Sequence, residues 1–213
     1  MPDRLRNVSR RTVVTAVAGV FMLAFAAVAL AGSTFKNGGF ETGDFTGWKV
    51  ASSGFGTWYI RHSGPLPLSG NGWPGPPEHE LAAVSDQDDP ASGILYRNIK
   101  VGTKTVRLSL IVYYKNFAAG FCTPSTLDET IGSCNQQFRV DILRSGASPW
   151  SMVKTDMLKS PFKTKSSSAL HIEPTLVTAS LTGLGDKVML RIAWVANDAV
   201  LNAIVDDVRV DAG

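Results

Sequence analysis

Three stretches of this chain alternate apolar and polar residues without a break. In Thr105 to Tyr114, the residues Val106, Leu108, Leu110, Val112 and Tyr114 share one face, and Arg107, Ser109, Ile111 and Tyr113 the other. Gln136 to Leu143 sets Phe138, Val140 and Ile142 against Gln137, Arg139 and Asp141. Val188 to Val195 sets Val188, Leu190, Ile192 and Trp194 against Met189, Arg191 and Ala193. Side chains alternate across a strand but recur every three to four residues on a helix, so this period admits only half-buried strands, antiparallel by preference. Shorter strand candidates are Trp48 to Ser52, Thr57 to His62, Glu80 to Ser85, Gly93 to Val101 and Leu176 to Leu181. Turn chemistry separates them at 86–92, 102–103, 145–149 and 183–186. Two longer loops remain: 63–77, rich in Gly and Pro around Trp73, and 118–135. About eight to ten strands without a second core predict an all-β fold, a two-sheet antiparallel jelly-roll sandwich, preceded by an N-terminal signal helix.

Residues 1–31 carry that signal. Arg4, Arg6, Arg10 and Arg11 precede an apolar run from Val13 to Leu30, and Ala29-Leu30-Ala31 forms a small-residue cleavage site. Ser9-Arg10-Arg11 suits twin-arginine export, although Thr15 stands where that motif prefers Lys. The expected mature domain is 32–213, secreted or periplasmic; the alternative is an uncleaved anchor, the chain's one route to a membrane. Removing the four Arg and the single Asp of the leader from 21 basic and 18 acidic residues leaves 17 of each. The alkaline pI therefore belongs to the leader, and no Lys/Arg run interleaved with aromatics supports nucleic-acid binding. In an exported chain the two cysteines, Cys122 and Cys134, are expected to pair, closing a loop whose cross-link contributes about 3 kcal/mol. A metal-bound or free thiol pair is the alternative.

The ends of the mature chain suggest a junction. Asn37 to Trp48, NGGFETGDFTGW, reads as a Gly-rich turn presenting Glu41 followed by a turn that delivers Trp48 into a strand. Ala203 to Val210, AIVDDVRV, reads as the closing strand. If Val208 and Val210 face the core, strict alternation puts Ile204 and Asp206 on the same inward face. A buried carboxylate needs a partner, and Asp206 has no basic sequence neighbour on that face. Glu41 and Asp206 are then expected to share one structural Ca²⁺, a cation that takes oxygen ligands only; the alternative is satisfaction by backbone N–H groups.

These terminal motifs and the strand order between them resemble the galactose-binding-like jelly rolls, particularly the CenC-type carbohydrate-binding modules. Val84 to Ile99, VSDQDDPASGILYRNI, and Asn135 to Leu143, NQQFRVDIL, are similar to a group of uncharacterised secreted bacterial jelly-roll proteins. The resemblance implies a calcium joining the opening segment to the last strand. The matching positions are Glu41 and Asp206, with Asn37 lending a carbonyl and Asp207 substituting if the register is off by one.

Catalytic patterns are missing. There is no G-x-S-x-G elbow, H-E-x-x-H pair or P-loop, and His62, His79 and His171 are far apart. Glycoside hydrolysis needs two carboxyls flanking the bond, and the five Glu of the mature part, Glu41, Glu78, Glu80, Glu129 and Glu173, do not form the paired spacing of jelly-roll glucanases. The Glu78-His79-Glu80 cluster reads as a solvated loop edge. The expectation is therefore a non-enzyme. Sugar rings stack on flat aromatics while polar neighbours bind the hydroxyls. The outward face of Arg107, Tyr113, Gln137, Arg139, Asp141 and Arg191, with Trp73 and the further aromatics Trp58, Tyr59 and Trp150, is the candidate glycan site; Trp48 and Trp194 are expected in the core. A solvated face with Asp141 paired to an Arg is the plain alternative, and a protein partner at the surface is the rival function.

Overall fold

The computed structural model describes residues 35–102 and 105–212, so the export-signal reading lies outside it. Ten strands follow in chain order: β1 Lys49–Arg61, β2 Gly64–Pro65, β3 Gly72–Trp73, β4 Ala82–Lys100, β5 Val106–Asn116, β6 Gln136–Arg144, β7 Met157–Lys163, β8 His171–Ser180, β9 Lys187–Ala196 and β10 Leu201–Ala212. No helix occurs among the described residues. All ladders are antiparallel, in the order β7-β6-β9-β4-β10-β5-β8, with β1 beside β4 and β2 beside β3.

The hydrogen-bonded path is continuous because β1 and β4 pass from one layer to the other. Lys49 to Gly54 pairs with Ala91 to Tyr96; after an irregularity at Gly54/Gly56, Gly56 to Arg61 pairs with Ala82 to Gln87. The later part of β4 joins β9, and its early part joins β10. One layer is thus β1-β4-β9-β6-β7 and the other β1-β4-β10-β5-β8. Between them lies one core, in which Phe138, Val140, Ile192, Trp194 and Leu95 meet Leu108, Leu110, Val112, Ala203 and Val205. Burying each such side chain stabilises by about 1.5–3 kcal/mol.

The three alternating runs become β5, β6 and β9, with their apolar faces inward as expected. Trp48 and Trp194 lie in the core, and so does Trp58. Gly93 is required opposite Trp194: a β-carbon there would stand 2.5 Å from the indole nitrogen. Four expectations need correcting. The turn at 86–92 is the corner of a single strand, with Asp88 to Pro90 exposed where the ladder crosses between layers. Two expected strands likewise fuse into β1. Strand β7, which lacks alternation, was not foreseen. It is an outermost strand whose Pro161 has no N–H to offer, a feature that blunts sheet edges.

The fourth correction concerns Asp206. Leu201, Ala203 and Val205 face the core, but the ladder slips between Asp206 and Arg209, where Asp207 adopts φ 49°. This β-bulge resets the alternation so that Val208 and Val210 also point inward, and Ile204 and Asp206 point away. Asp206 is buried outside the main core.

Candidate functional site

The polar face expected to bind a ligand is divided and closed. Arg107 and Tyr113 belong to β5 in one layer; Gln137, Arg139, Asp141 and Arg191 belong to β6 and β9 in the other. Their outward faces lie on opposite sides of the sandwich. The β5 side is covered by the 63–80 loop. Trp73 stacks on Tyr113 with centroids 6.4 Å apart, and the Tyr113 hydroxyl donates to Gly75 O at 2.7 Å. Burial raises the Tyr113 pKa, reinforced by the Asp206 charge. Asp86 fixes the loop by accepting from Leu68 N at 2.6 Å and Ser69 N at 3.2 Å. Trp73 is therefore packed against the sheet rather than presented to solvent, and Arg107 stands exposed apart from it.

On the other layer, Asp141 and Arg191 are 0% exposed and Arg139 is 6% exposed. Asp141 accepts from Arg139 Nε at 2.7 Å and Nη2 at 3.0 Å, from Arg191 Nη2 at 2.7 Å and Nε at 3.1 Å, and from Ser160 Oγ at 2.6 Å. Burial pushes the carboxyl pKa up, but the Arg139 hydrogen bonds and the two guanidinium charges outweigh it and hold the group below its ordinary value. Burial lowers the Arg191 pKa, against the pull of Asp141. These residues are inaccessible to a polymer. They serve instead as supports. Arg191 Nη1 donates to Pro149 O at 2.9 Å and Ser151 O at 2.6 Å, clamping the backbone on both sides of Trp150. Gln137 Nε2 donates to Thr126 O at 2.9 Å, Asn135 Nδ2 to Asp128 O at 2.9 Å, and Asn197 Nδ2 to Glu129 O at 3.2 Å. The Cys122–Cys134 disulfide closes the same loop.

The two supported loops enclose a groove of about 440 Å³ beside β1, lined by Ser52 and Ser53, by Thr126 to Glu129 and by Trp150. Trp150 is half-buried, backed by a small cluster that includes Ile94, Leu127 and Val195. Glu129 is 5% exposed; Ser53 Oγ donates to its Oε1, and Ser92 Oγ to its Oε2 at 2.6 Å. Asp128 is exposed and accepts from Thr130 N at 2.8 Å and Thr130 Oγ1 at 2.7 Å, which lowers its pKa. Ser52, Ser53, Asp128 and Glu129 were not among the sequence candidates. The available signal was an acidic pair inside the cysteine-bracketed loop, but nothing local ties it to Ser53, 76 residues away.

A second recess, about 480 Å³, lies where the chain's opening meets β10 and includes Asn37, Glu41, Thr42, His79 and Asp207. Gly38 O accepts from Val208 N at 3.0 Å, an approach so close that a β-carbon on Gly38 would stand 1.8 Å from Val208 O. A β-carbon on Gly39 would lie 3.8 Å from both Asp206 Oδ1 and Glu41 Cγ, so both side chains border this glycine; Glu41 Oε1 accepts from Leu81 N at 3.0 Å. Asn37, Phe40, His79 and Asp207, all near this junction, hold φ between 49° and 60°. Asp206 is 0% exposed. Its Oδ1 accepts from Asp207 N at 2.7 Å, and its Oδ2 has no partner. Burial raises its pKa to about 7, with the Asp207 and Glu41 charges adding to the shift against the backbone hydrogen bonds from Asp207 and Glu78.

Calcium suits this donor set in part. Among the described residues neither carboxylate has an ion-pair partner, and the buried Oδ2 of Asp206 is a hard oxygen with no hydrogen-bond partner. Among the described residues no third His, Cys, Asp or Glu completes a cluster, so further ligands would be backbone carbonyls or water. Asn37 serves the turn: its Nδ2 donates to Asp44 O at 2.9 Å and Thr46 O at 3.1 Å, and its carbonyl accepts from Trp48 Nε1 at 3.0 Å. The Asp207 carboxylate is paired with Arg209 at 2.7 Å.

The two-layer antiparallel β-sandwich is similar in fold to solved structures of a carbohydrate-binding module and of an adhesin domain. The particular structures it resembles include TmCBM61 in complex with β-1,4-galactotriose, 13% identical with a TM-score of 0.52, covering 86% of this chain and 100% of that one. Another is the K3 cleaved adhesin domain of Lys-gingipain from Porphyromonas gingivalis W83, 12% identical with a TM-score of 0.50, covering 82% and 96%. No protein-family model and no curated protein matches the sequence.

Proposed function

We propose that this chain is an extracellular, non-catalytic carbohydrate-binding protein of the jelly-roll type. The observation that carries the reading is the groove beside Trp150, where one half-buried indole, two serine hydroxyls and two carboxylates line an open cleft. A disulfide and a sandwich fold suit an extracellular setting. Two features favour binding over hydrolysis. Asp128 is held ionised by Thr130 whereas a general acid needs a raised pKa, and Asp206, whose pKa is raised, is buried away from any polymer. The Glu41–Asp206 junction is read as one structural calcium site: both carboxylates would hold the ion, which would neutralise them and tie the opening turn to β10.

The test is affinity electrophoresis and a polysaccharide array in calcium-containing buffer, on protein expressed with its own leader. Retention by one polymer class is expected, with no release of reducing sugar. A blank array from folded protein would refute the reading and leave protein recognition, the alternative that likeness to an adhesin domain favours.

A further inference from the structure

The groove is rich in hydrogen-bond acceptors, with two carboxylates and two serine hydroxyl oxygens in its lining. The Ser53 hydroxyl proton is committed to Glu129, and the Ser52 and Thr57 hydroxyls share a hydrogen bond of 2.6 Å. Asp128 Oδ1 is engaged by Thr130, while its other oxygen is left as an acceptor on an exposed side chain. Among the described residues no Lys or Arg lines the cleft. Sugar hydroxyls can donate to such a surface, and a pyranose C–H face can lie on the indole. A uronate or sulfate would instead meet two carboxylates and no cation, and like charges at close range repel.

We infer that this groove is the recognition site for an uncharged pyranoside chain, with Trp150 as stacking platform and Asp128 as acceptor, and that it rejects anionic polysaccharides. This rests on the carbohydrate-binding reading, and adds which residues bind and which charge class is selected. The positions are rigid for reasons already visible: Arg191 clamps the backbone around Trp150, and Gln137, Asn135 and Asn197 hold the opposite wall.

The experiment is affinity electrophoresis of the protein, expressed with its own leader, in gels containing β-1,4-galactan, xylan, glucomannan or polygalacturonate. The wild type should be retarded by a neutral polymer and not by polygalacturonate. Trp150→Ala should weaken retention about tenfold, the size expected for loss of one aromatic stacking partner, and Trp150→Phe should recover most of it. Asp128→Asn keeps the oxygen bonded to Thr130 and should weaken neutral binding several-fold. Leu176→Ser, on β8 of the opposite layer, should change nothing. Neutral binding untouched by both Trp150→Ala and Asp128→Asn would overturn the site while leaving carbohydrate binding intact. Equal retention by polygalacturonate would overturn the charge selection. No retention by any polymer would refute both.

Discussion

Replacing Asp141 by Asn tests the buried cluster on which one wall of the groove depends. The side chain keeps its shape, but its charge is lost between two guanidiniums that are almost wholly buried. At an effective dielectric constant of about 20, each carboxylate–guanidinium pair contributes about 4 kcal/mol of attraction, partly offset by the several kcal/mol needed to desolvate each ion. Removing the shared anion also leaves Arg139 and Arg191 repelling each other without compensation. The expected loss is about 3–5 kcal/mol, a large share of the total stability of a domain this size. Urea unfolding followed by tryptophan emission measures it; the midpoint should fall with the slope unchanged. Ser160→Ala, which removes one hydrogen bond to the same charged group, should cost about 1.5–3 kcal/mol. The pH dependence has a definite sign. Because the folded carboxyl titrates below its ordinary value, its contribution is present above about pH 4 and is lost as pH falls further, through the folded pKa. Asp141→Asn should flatten that acid limb. A loss below about 1 kcal/mol would refute the reasoning, because it would mean that the guanidiniums are solvated without their anion.

Two further outcomes can be checked by melting and binding. Millimolar Ca²⁺ should raise the melting temperature by about 5–10 °C over chelator, since an ion bound only by the native state stabilises it, and Asp206→Asn should abolish the difference. Without the ion the folded carboxyl titrates near 7, so stability is greatest below the ordinary Asp pKa and falls as pH rises through about 7; in chelator at pH 8, Asp206→Asn should therefore melt higher than wild type. No calcium shift would refute the metal reading. Reducing Cys122–Cys134 should cost about 3 kcal/mol and weaken neutral-polymer binding more than it lowers the far-UV signal, because the bridged loop carries Asp128 and Glu129; full binding after reduction would show that the buried amides alone hold that wall.

The strands of the core are legible in the residue pattern alone. In β5, β6 and β9 the two-residue period is a local property of the chain, and the apolar face it marks in each strand, such as Leu108 and Leu110, Phe138 and Val140, or Ile192 and Trp194, points into the main core. The residue pattern also placed the disulfide, because two cysteines twelve residues apart in one loop are legible locally. What became of the polar faces depended on tertiary packing. Alternation states which residues share a side of a strand; it does not say whether that side meets water or a loop arriving from elsewhere. Gln137, Arg139, Asp141 and Arg191 read as a solvated cleft until the 118–135 and 145–156 loops are laid over them, and Tyr113 reads as a platform until Trp73 covers it. The strand β4 looked broken at Asp88–Pro90 because a chain crossing between layers exposes polar residues at the corner just as a turn does. The slip at Asp207 was hidden for a related reason. A bulge is one extra residue whose presence shows only against its partner strand, and it is that residue which turned Asp206 away from the core and left one of its oxygens unpaired.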